Sequence, residues 1–148
     1  MNRLYVALII NLSLLNPSFV EVASNENSWP QILGPSRNGV YTGPELETSW
    51  PESGPIELWR LPIGAGLAGP VVSDGRLIIF HRIRNEEIVE AFDALTGVEI
   101  WRYAYRTSYR DDFGFDEGPR AVPVVANGRV FTFGAQGQLT ALNSVTGE

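Results

Sequence analysis

Two stretches of the chain, GPVVSDGRLIIF at residues 69–80 and VPVVANGRVFTF at residues 122–133, are copies of one another. They align without a gap at an offset of 53 residues, which places Pro70 on Pro123. Self-similarity at a fixed period is typical of repeat architectures in which each copy is one supersecondary unit. The sequence therefore indicates a repeat protein.

A second pair of matching stretches follows the first. AFDALTGV at residues 91–98 aligns with ALNSVTGE at residues 141–148, at an offset of 50. A partial third copy lies upstream, where ELWR at residues 57–60 resembles EIWR at residues 99–102. Insertions in repeats fall in loops, so the difference of three residues is expected in the loop His81–Glu87, against Gly134–Gly137.

Each copy is predicted to consist of short antiparallel strands. Asp74-Gly75 and Asn127-Gly128 indicate tight hairpin turns, because these residue pairs tolerate the positive φ that both central positions need. Four strands in about 45–53 residues fit a β-propeller blade, and the β-branched runs disfavour a helical repeat. The predicted strands are Pro70–Ser73, Arg76–His81, Ile88–Asp93 and Val98–Tyr103, then Pro123–Ala126 and Arg129–Phe133.

The connection before the fourth strand carries the motif A-x-D-x-x-T-G-x-x-x-W, which is complete in the first copy. Its Asp and Thr are suited to bonding backbone groups across a tight turn, and its Gly to a left-handed conformation. Its Trp, on the outermost strand, is expected to bury about 150–250 Å² against the adjacent blade. We therefore expect structural rather than catalytic roles for Ala91, Asp93, Thr96, Gly97 and Trp101, for Ala141, Asn143, Thr146 and Gly147, and for Trp59 of the partial copy.

This motif at blade spacing resembles the docking motif of pyrroloquinoline-quinone (PQQ) quinoprotein propellers. Residues 29–39 are similar to the lead-in of exported PQQ-like propeller proteins of the BamB type. The resemblance implies an all-β fold, a partial β-propeller of four-stranded antiparallel blades. We expect one full blade, one incomplete blade and one N-terminal closing strand at Gly54–Leu61. The remaining blades of a longer protein are the expected partner, with other exported proteins as further candidates.

Three segments are predicted along the chain: a signal peptide at 1–24, a Pro/Gly-rich lead-in at 25–53 and propeller blades at 54–148. Arg3 precedes an apolar run from Leu4 to Leu15, and small residues up to Ser24 offer a cleavage site. The alternative is a membrane anchor, but twelve helical residues span only about 18 Å of a hydrocarbon core of about 30 Å. We expect export to the periplasm or the extracellular space, with no membrane span after cleavage.

Composition narrows the classes of function. The 11 basic residues, all of them Arg, face 17 acidic residues, for a net charge of −6. Nucleic acid is an unsuitable partner, because phosphate binding needs a clustered positive surface. The chain has no Cys, so thiolate catalysis and Cys-based metal sites do not arise.

The segment 108–120, between the two blades, holds the candidate site residues. Asp111, Asp112, Asp116 and Glu117 offer oxygens of the kind that Ca²⁺ prefers, although their spacing is not that of an EF-hand. The alternative is a solvated acidic loop held down by Phe113 and Phe115. Arg120, Asp112 and Asp116 are candidate ligand-binding residues, and Arg120 is suited either to an anionic ligand or to a bridge with Asp116 or Glu117. His81, the single histidine, is a further candidate, with a polar surface role as the alternative.

These features leave two functions open. The first is an exported scaffold or ligand- or protein-binding propeller without catalytic activity. The second is the leading part of a PQQ-dependent alcohol or sugar dehydrogenase, for which the resemblance implies PQQ and Ca²⁺ as cofactors of the full-length protein. The chain lacks the adjacent Cys pair found in many such alcohol dehydrogenases, which favours the first.

Overall fold

The computed structural model of the protein describes residues 28–148, so the predicted signal peptide lies outside the described residues. Within that range no helix is long and apolar enough to cross a membrane. Antiparallel strands dominate the fold, as predicted. They are β1 (Val71–Ser73), β2 (Arg76–Ile83), β3 (Glu86–Asp93), β4 (Glu99–Arg106), β5 (Val124–Ala126), β6 (Arg129–Phe133) and β7 (Leu139–Asn143).

The strands form two sheets in which each strand pairs with the next one along the chain. The first sheet has the order β1-β2-β3-β4 and the second has the order β5-β6-β7. Positive φ values at Asp74 and Gly75 (50° and 72°) and at Asn127 and Gly128 (50° and 71°) confirm the two predicted hairpin turns. These are the four-stranded blade and the incomplete blade that the repeat predicts.

The central hairpins of the two blades differ in strand length, and the prediction of a loop at His81–Glu87 is wrong. β2 continues to Ile83 and β3 begins at Glu86, so only Arg84 and Asn85 form the turn. β2 and β3 have eight residues each, against five each in β6 and β7. The three additional residues thus extend the ladder to the pair Ile83 and Glu86, and the buried side chains of Arg82 and Glu87 near its end have partners outside the hairpin.

An apolar core lies between the sheets. β2 is buried continuously from Ile78 to Arg82, as expected for a strand covered on both faces. In β6 and β7 buried and more exposed residues alternate, so one face of the second sheet is covered within residues 28–148. The core consists of Val71, Ile78, Phe80, Val89, Ala91, Trp101, Val130 and Leu142.

The lead-in contacts both blades near their first strands. Trp29 exchanges two backbone hydrogen bonds with Val72, at 2.7 and 3.0 Å, and Val125 donates one to the carbonyl of Pro30 at 2.8 Å. The backbone of Trp29 and Pro30 thus fastens the lead-in to both blades. Trp50, further along the lead-in, is 62% exposed and does not pack against the blades.

The predicted closing strand at Gly54–Leu61 takes part in neither sheet. A closing strand needs the third strand of another blade as its ladder partner, and neither described sheet supplies one beside it. Further along, Ala65 forms an isolated bridge with Arg82 of β2. The segment is therefore attached to the first blade by single contacts, which include the indole of Trp59.

Candidate functional site

The docking motif of the first blade forms a compact hydrogen-bonded turn. Asp93 Oδ1 accepts from the amides of Leu95 and Thr96, at 3.1 and 2.8 Å, and from Thr96 Oγ1 at 2.8 Å. The hydrogen bonds from Thr96 lower the pKa of the Asp93 carboxyl. Gly97 follows with φ of 70°, where a side chain would be strained. These residues shape the turn.

The second blade repeats this turn with Asn in place of Asp. Asn143 Oδ1 accepts from the amides of Val145 and Thr146, at 2.8 and 3.0 Å, and Gly147 has φ of 74°. A single acceptor oxygen supports the geometry, and an amide provides it as well as a carboxylate does. The difference between Asp93 and Asn143 therefore leaves the geometry of the turn unchanged.

Each Trp of the motif docks on the turn of the following blade. Trp101 Nε1 donates to the carbonyl of Ser144 at 3.1 Å, and its ring lies over Gly147, where a Cβ atom would come within 2.8 Å. Trp59 repeats the contact one blade earlier, with Nε1 at 3.3 Å from the carbonyl of Ala94 and its ring over Gly97. Glycine is required because the indole occupies the space of a side chain. Both indoles thus contact the turn that follows them in the next repeat.

The loop after β4 does not bring its acidic side chains together as a metal site. Asp111 Oδ2 accepts from the amide of Phe115 at 2.5 Å, and this bond is the main cause of the lowered pKa of Asp111. Its Oδ1 lies 3.3 Å from Arg120. Asp116 Oδ1 accepts from the amide of Gly118 at 2.7 Å.

The other two candidate metal ligands are separated from this turn. Asp112 is exposed, and Glu117 Oε2 pairs with Arg110 at 2.8 Å and approaches Arg82 at 3.6 Å. No three His, Asp or Glu side chains converge as potential ligands in residues 28–148. The donor set does not fit Ca²⁺, because the carboxylates are engaged and guanidinium groups lie beside them.

Two further expectations for this loop are wrong. Phe113 and Phe115 are each 83% exposed and stack on each other, with ring centroids 6.3 Å apart, so they do not hold the loop down. The ion-pair partner of Arg120 is Asp111, not Asp116 or Glu117. Arg120 also donates to Tyr109 Oη at 2.9 Å and to the carbonyl of Asp116 at 3.1 Å. Its donors are engaged within the loop, as in the bridging alternative, and are not left free for an anionic ligand.

Arg82, which the sequence did not single out, is the group that fastens this loop. Its side chain is 2% exposed and donates to three carbonyls: Arg84 at 2.7 Å, and Tyr109 and Glu117 at 2.8 Å each. Its Nη2 has no hydrogen-bond partner in the described part of the chain, only the 3.6 Å contact to Glu117. A charged residue within an apolar strand was the available signal.

Glu87 is a second buried charge that the sequence analysis missed. The residue is 1% exposed and accepts from the hydroxyl of Tyr105 and from the amide of Ala135 at 2.9 Å. Burial and the neighbouring carboxylate raise the pKa of the Tyr105 hydroxyl, which therefore stays protonated and donates. Because Ala135 lies in the β6–β7 turn, this carboxylate joins the two blades. Gly134 leaves room for it, since a Cβ atom there would come within 2.2 Å of Glu87.

His81 is buried in β2 and not at the surface. Its Nδ1 accepts from the amide of Gly64 at 2.8 Å. Its Nε2 lies 3.0 Å from Glu90 Oε2 without the alignment of a full hydrogen bond, and Glu90 Oε1 lies 3.6 Å from Arg102. Burial lowers the pKa of His81, against the opposing effect of Glu90. The neutral imidazole thus holds the segment that precedes β1 against the first blade.

Comparisons with known proteins agree with this architecture. Residues 84–148 match a PQQ-type repeat family model described as "Outer membrane protein assembly factor BamB". The matched residues run from the β2–β3 turn through the second blade. This part of the chain is therefore similar to PQQ-type propeller repeats, and the two antiparallel sheets are consistent with blades of a partial propeller.

Among the solved structures that match is a "Europium-containing methanol dehydrogenase", with 23% sequence identity and a TM-score of 0.43. The similarity covers 59% of this chain and 15% of that enzyme, so the chain spans a small part of the enzyme's length. No curated protein sequence is significantly similar to this chain.

Proposed function

We propose that the chain is an exported part of a PQQ-like propeller that acts as a scaffold or binding module and not as an enzyme. The observation that carries this proposal is the docking contact that occurs twice. An indole N–H reaches the backbone carbonyl of the next blade at 3.3 Å from Trp59 and at 3.1 Å from Trp101. The residues of the motif join neighbouring repeats.

The candidate catalytic and metal-binding side chains support the same proposal, because they are already bonded to other groups of the protein. Asp111 is bonded to the amide of Phe115 and to Arg120, and His81 to the amide of Gly64. A general base or a metal ligand needs free lone pairs that face a substrate or an ion. These lone pairs face the protein's own backbone and side chains. Further blades are the partners we propose for the open side of the second blade.

The alternative, the leading part of a PQQ-dependent dehydrogenase, is tested with PQQ and Ca²⁺. We expect neither compound, alone or together, to raise the melting temperature of the chain, and no dye-linked oxidation of methanol or glucose. A melting temperature that rises with PQQ only when Ca²⁺ is present would contradict the proposal and favour the dehydrogenase.

Export is proposed from the charged start, apolar run and small residues within 1–24. The test is expression of the complete chain in a bacterial host, followed by fractionation and N-terminal sequencing. We expect a periplasmic product that begins close to residue 24 or 25. A cytoplasmic product that retains Met1 would refute export and leave the proposed scaffold role standing.

A further inference from the structure

A cleft of about 910 Å³ opens at one end of the first blade. It lies where the β2–β3 turn, the end of β4 and the first residues of the inter-blade loop meet. Four guanidinium side chains line it, those of Arg84, Arg102, Arg106 and Arg110, and we call it the arginine cleft. Its volume is in the range of sites that hold small molecules.

The arginine cleft is positively charged, whereas the chain as a whole is negatively charged. Four of the 11 basic residues line it, together with one acidic residue, Glu86, although the chain has a net charge of −6. Arg102 lies 3.6 Å from Glu90, and Arg110 pairs with Glu117 at 2.8 Å. Within residues 28–148, Arg84 and Arg106 form no ion pair. Glu86 stands opposite Arg106 in the β3–β4 ladder without forming an ion pair with it. The guanidinium groups of Arg84 and Arg106 are therefore not held in ion pairs within the described residues.

The walls of the arginine cleft are held by the fold. Arg102 and Arg106 lie four residues apart on β4 and therefore share one face of the strand. Arg84 has a positive φ of 56°, and its carbonyl accepts from the buried Arg82 at 2.7 Å. At the far wall, Gln136 Oε1 accepts from Thr107 Oγ1 at 3.0 Å and from the amide of Ser108 at 2.9 Å. The guanidinium groups extend from fixed backbone.

We infer that the arginine cleft binds a small ligand that carries at least two oxyanion groups, carboxylate or phosphate. The planar fork of donors on each guanidinium matches such oxygens in pairs. One anionic group would neutralise Arg84 and a second would neutralise Arg106, with Arg102 and Arg110 as partly neutralised neighbours. The inference adds a ligand to the binding role proposed above, and its readout is independent of blade docking.

The test is isothermal titration of the complete chain with citrate and with pyrophosphate, and with glucose as the uncharged control. The variant Arg84→Gln/Arg106→Gln removes both unpaired charges. Arg129→Gln is the matched control, because Arg129 is exposed on β6 and outside the cleft. We expect one or both anions to bind, the double variant to bind them at least about tenfold more weakly, and Arg129→Gln to bind them as the unaltered chain does.

The two anions distinguish the chemistry of the ligand. Binding of citrate alone indicates a polycarboxylate, and binding of pyrophosphate alone indicates a ligand with linked phosphate groups. Absence of binding by both anions would overturn the inference, as would equal binding by the double variant or equal weakening by Arg129→Gln. Thermal melts of the variants confirm that they are folded. If a variant no longer binds the anions but melts as the unaltered chain does, the scaffold proposal is unaffected.

Discussion

Trp101 shows how one side chain joins two blades. It is 7% exposed, belongs to the core between the sheets, and donates its one N–H across the boundary to Ser144. A buried indole needs a partner for that N–H, and the carbonyl of a tight turn is a fixed acceptor. The Trp therefore contributes both apolar area and orientation.

Replacement of Trp101 is expected to separate these two contributions. Trp101→Ala should lower the free energy of unfolding by about 3–5 kcal/mol, because it removes a large buried side chain and leaves a cavity. Trp101→Phe should lower it less, since a ring remains and only the N–H and part of the area are lost. Urea titration followed by circular dichroism measures both changes.

Trp50→Ala is the control for that measurement. Trp50 is 62% exposed, so its removal should change the free energy of unfolding by no more than about 0.5 kcal/mol. A loss as large as that of Trp101→Ala would mean that indole docking does not hold the blades together.

His81 makes stability depend on pH in a defined direction. Its pKa is lowered in the folded chain, so the unfolded chain binds the proton more readily. This contribution to stability is complete above the ordinary value of 6.5 and is lost as pH falls through the folded pKa. The groups facing the imidazole are the Gly64 amide, which needs an unprotonated Nδ1, the Glu90 carboxylate, which opposes the lowering, and beyond it Arg102.

We therefore expect the free energy of unfolding to fall from pH 7 to pH 5, by at most about 1.4 kcal/mol per pH unit. His81 is the one histidine and the chain has no Cys, so few other side chains titrate in this window. His81→Gln should flatten the dependence. Urea titrations at half-unit steps test this, and an unchanged slope in His81→Gln would assign the effect to other groups.

At the scale of elements, the sequence predicts the turns that recur in both blades but not the long-range contacts that occur once. The turns at Asp74 and Asn127 are local features, because φ and the residue type decide them within two positions. The partners of Glu87 and Arg82 lie as far as 48 and 35 residues away. No local pattern encodes such contacts, and both residues lie in the part of the β2–β3 hairpin that the second blade lacks.

Glu87 joins β3 to the turn between β6 and β7, and its removal should therefore weaken the contact between the two sheets. Glu87→Ala leaves the Tyr105 hydroxyl and the Ala135 amide without an acceptor, at a cost of about 2–4 kcal/mol. Glu86→Ala is the matched control, since the side chain of the preceding residue points to the other face of β3 and is exposed. Equal losses from the two variants, measured by urea titration, would remove Glu87 from this role.

At the scale of the whole molecule, the second blade has one open side. β7 pairs with β6 and with no other strand in residues 28–148, and Phe133, Leu139 and Val145 are 53%, 70% and 54% exposed. An unpaired strand edge beside apolar side chains is a template for association. We expect the chain to form concentration-dependent assemblies in solution.

A fourth strand supplied in cis should suppress that association. The sequence of β4, EIWRYAYR, placed directly after Glu148 would occupy the motif spacing that residues 99–106 have in the first blade. We expect the extended chain to be monomeric and to melt at a higher temperature, as judged by light scattering and calorimetry. An extension with the same residues in scrambled order is the control. A monomeric, cooperatively melting unextended chain would contradict the expectation.

The direction of the indole contacts has a consequence for synthesis on the ribosome. Trp59 reaches forward to Ala94, and Trp101 reaches forward to Ser144, distances of 35 and 43 residues along the chain. A finished blade therefore cannot be secured until much of its successor has left the exit tunnel. During synthesis each of these two indoles remains without its acceptor until the following repeat has emerged, and a pause in translation between the repeats would prolong its exposure to chaperones.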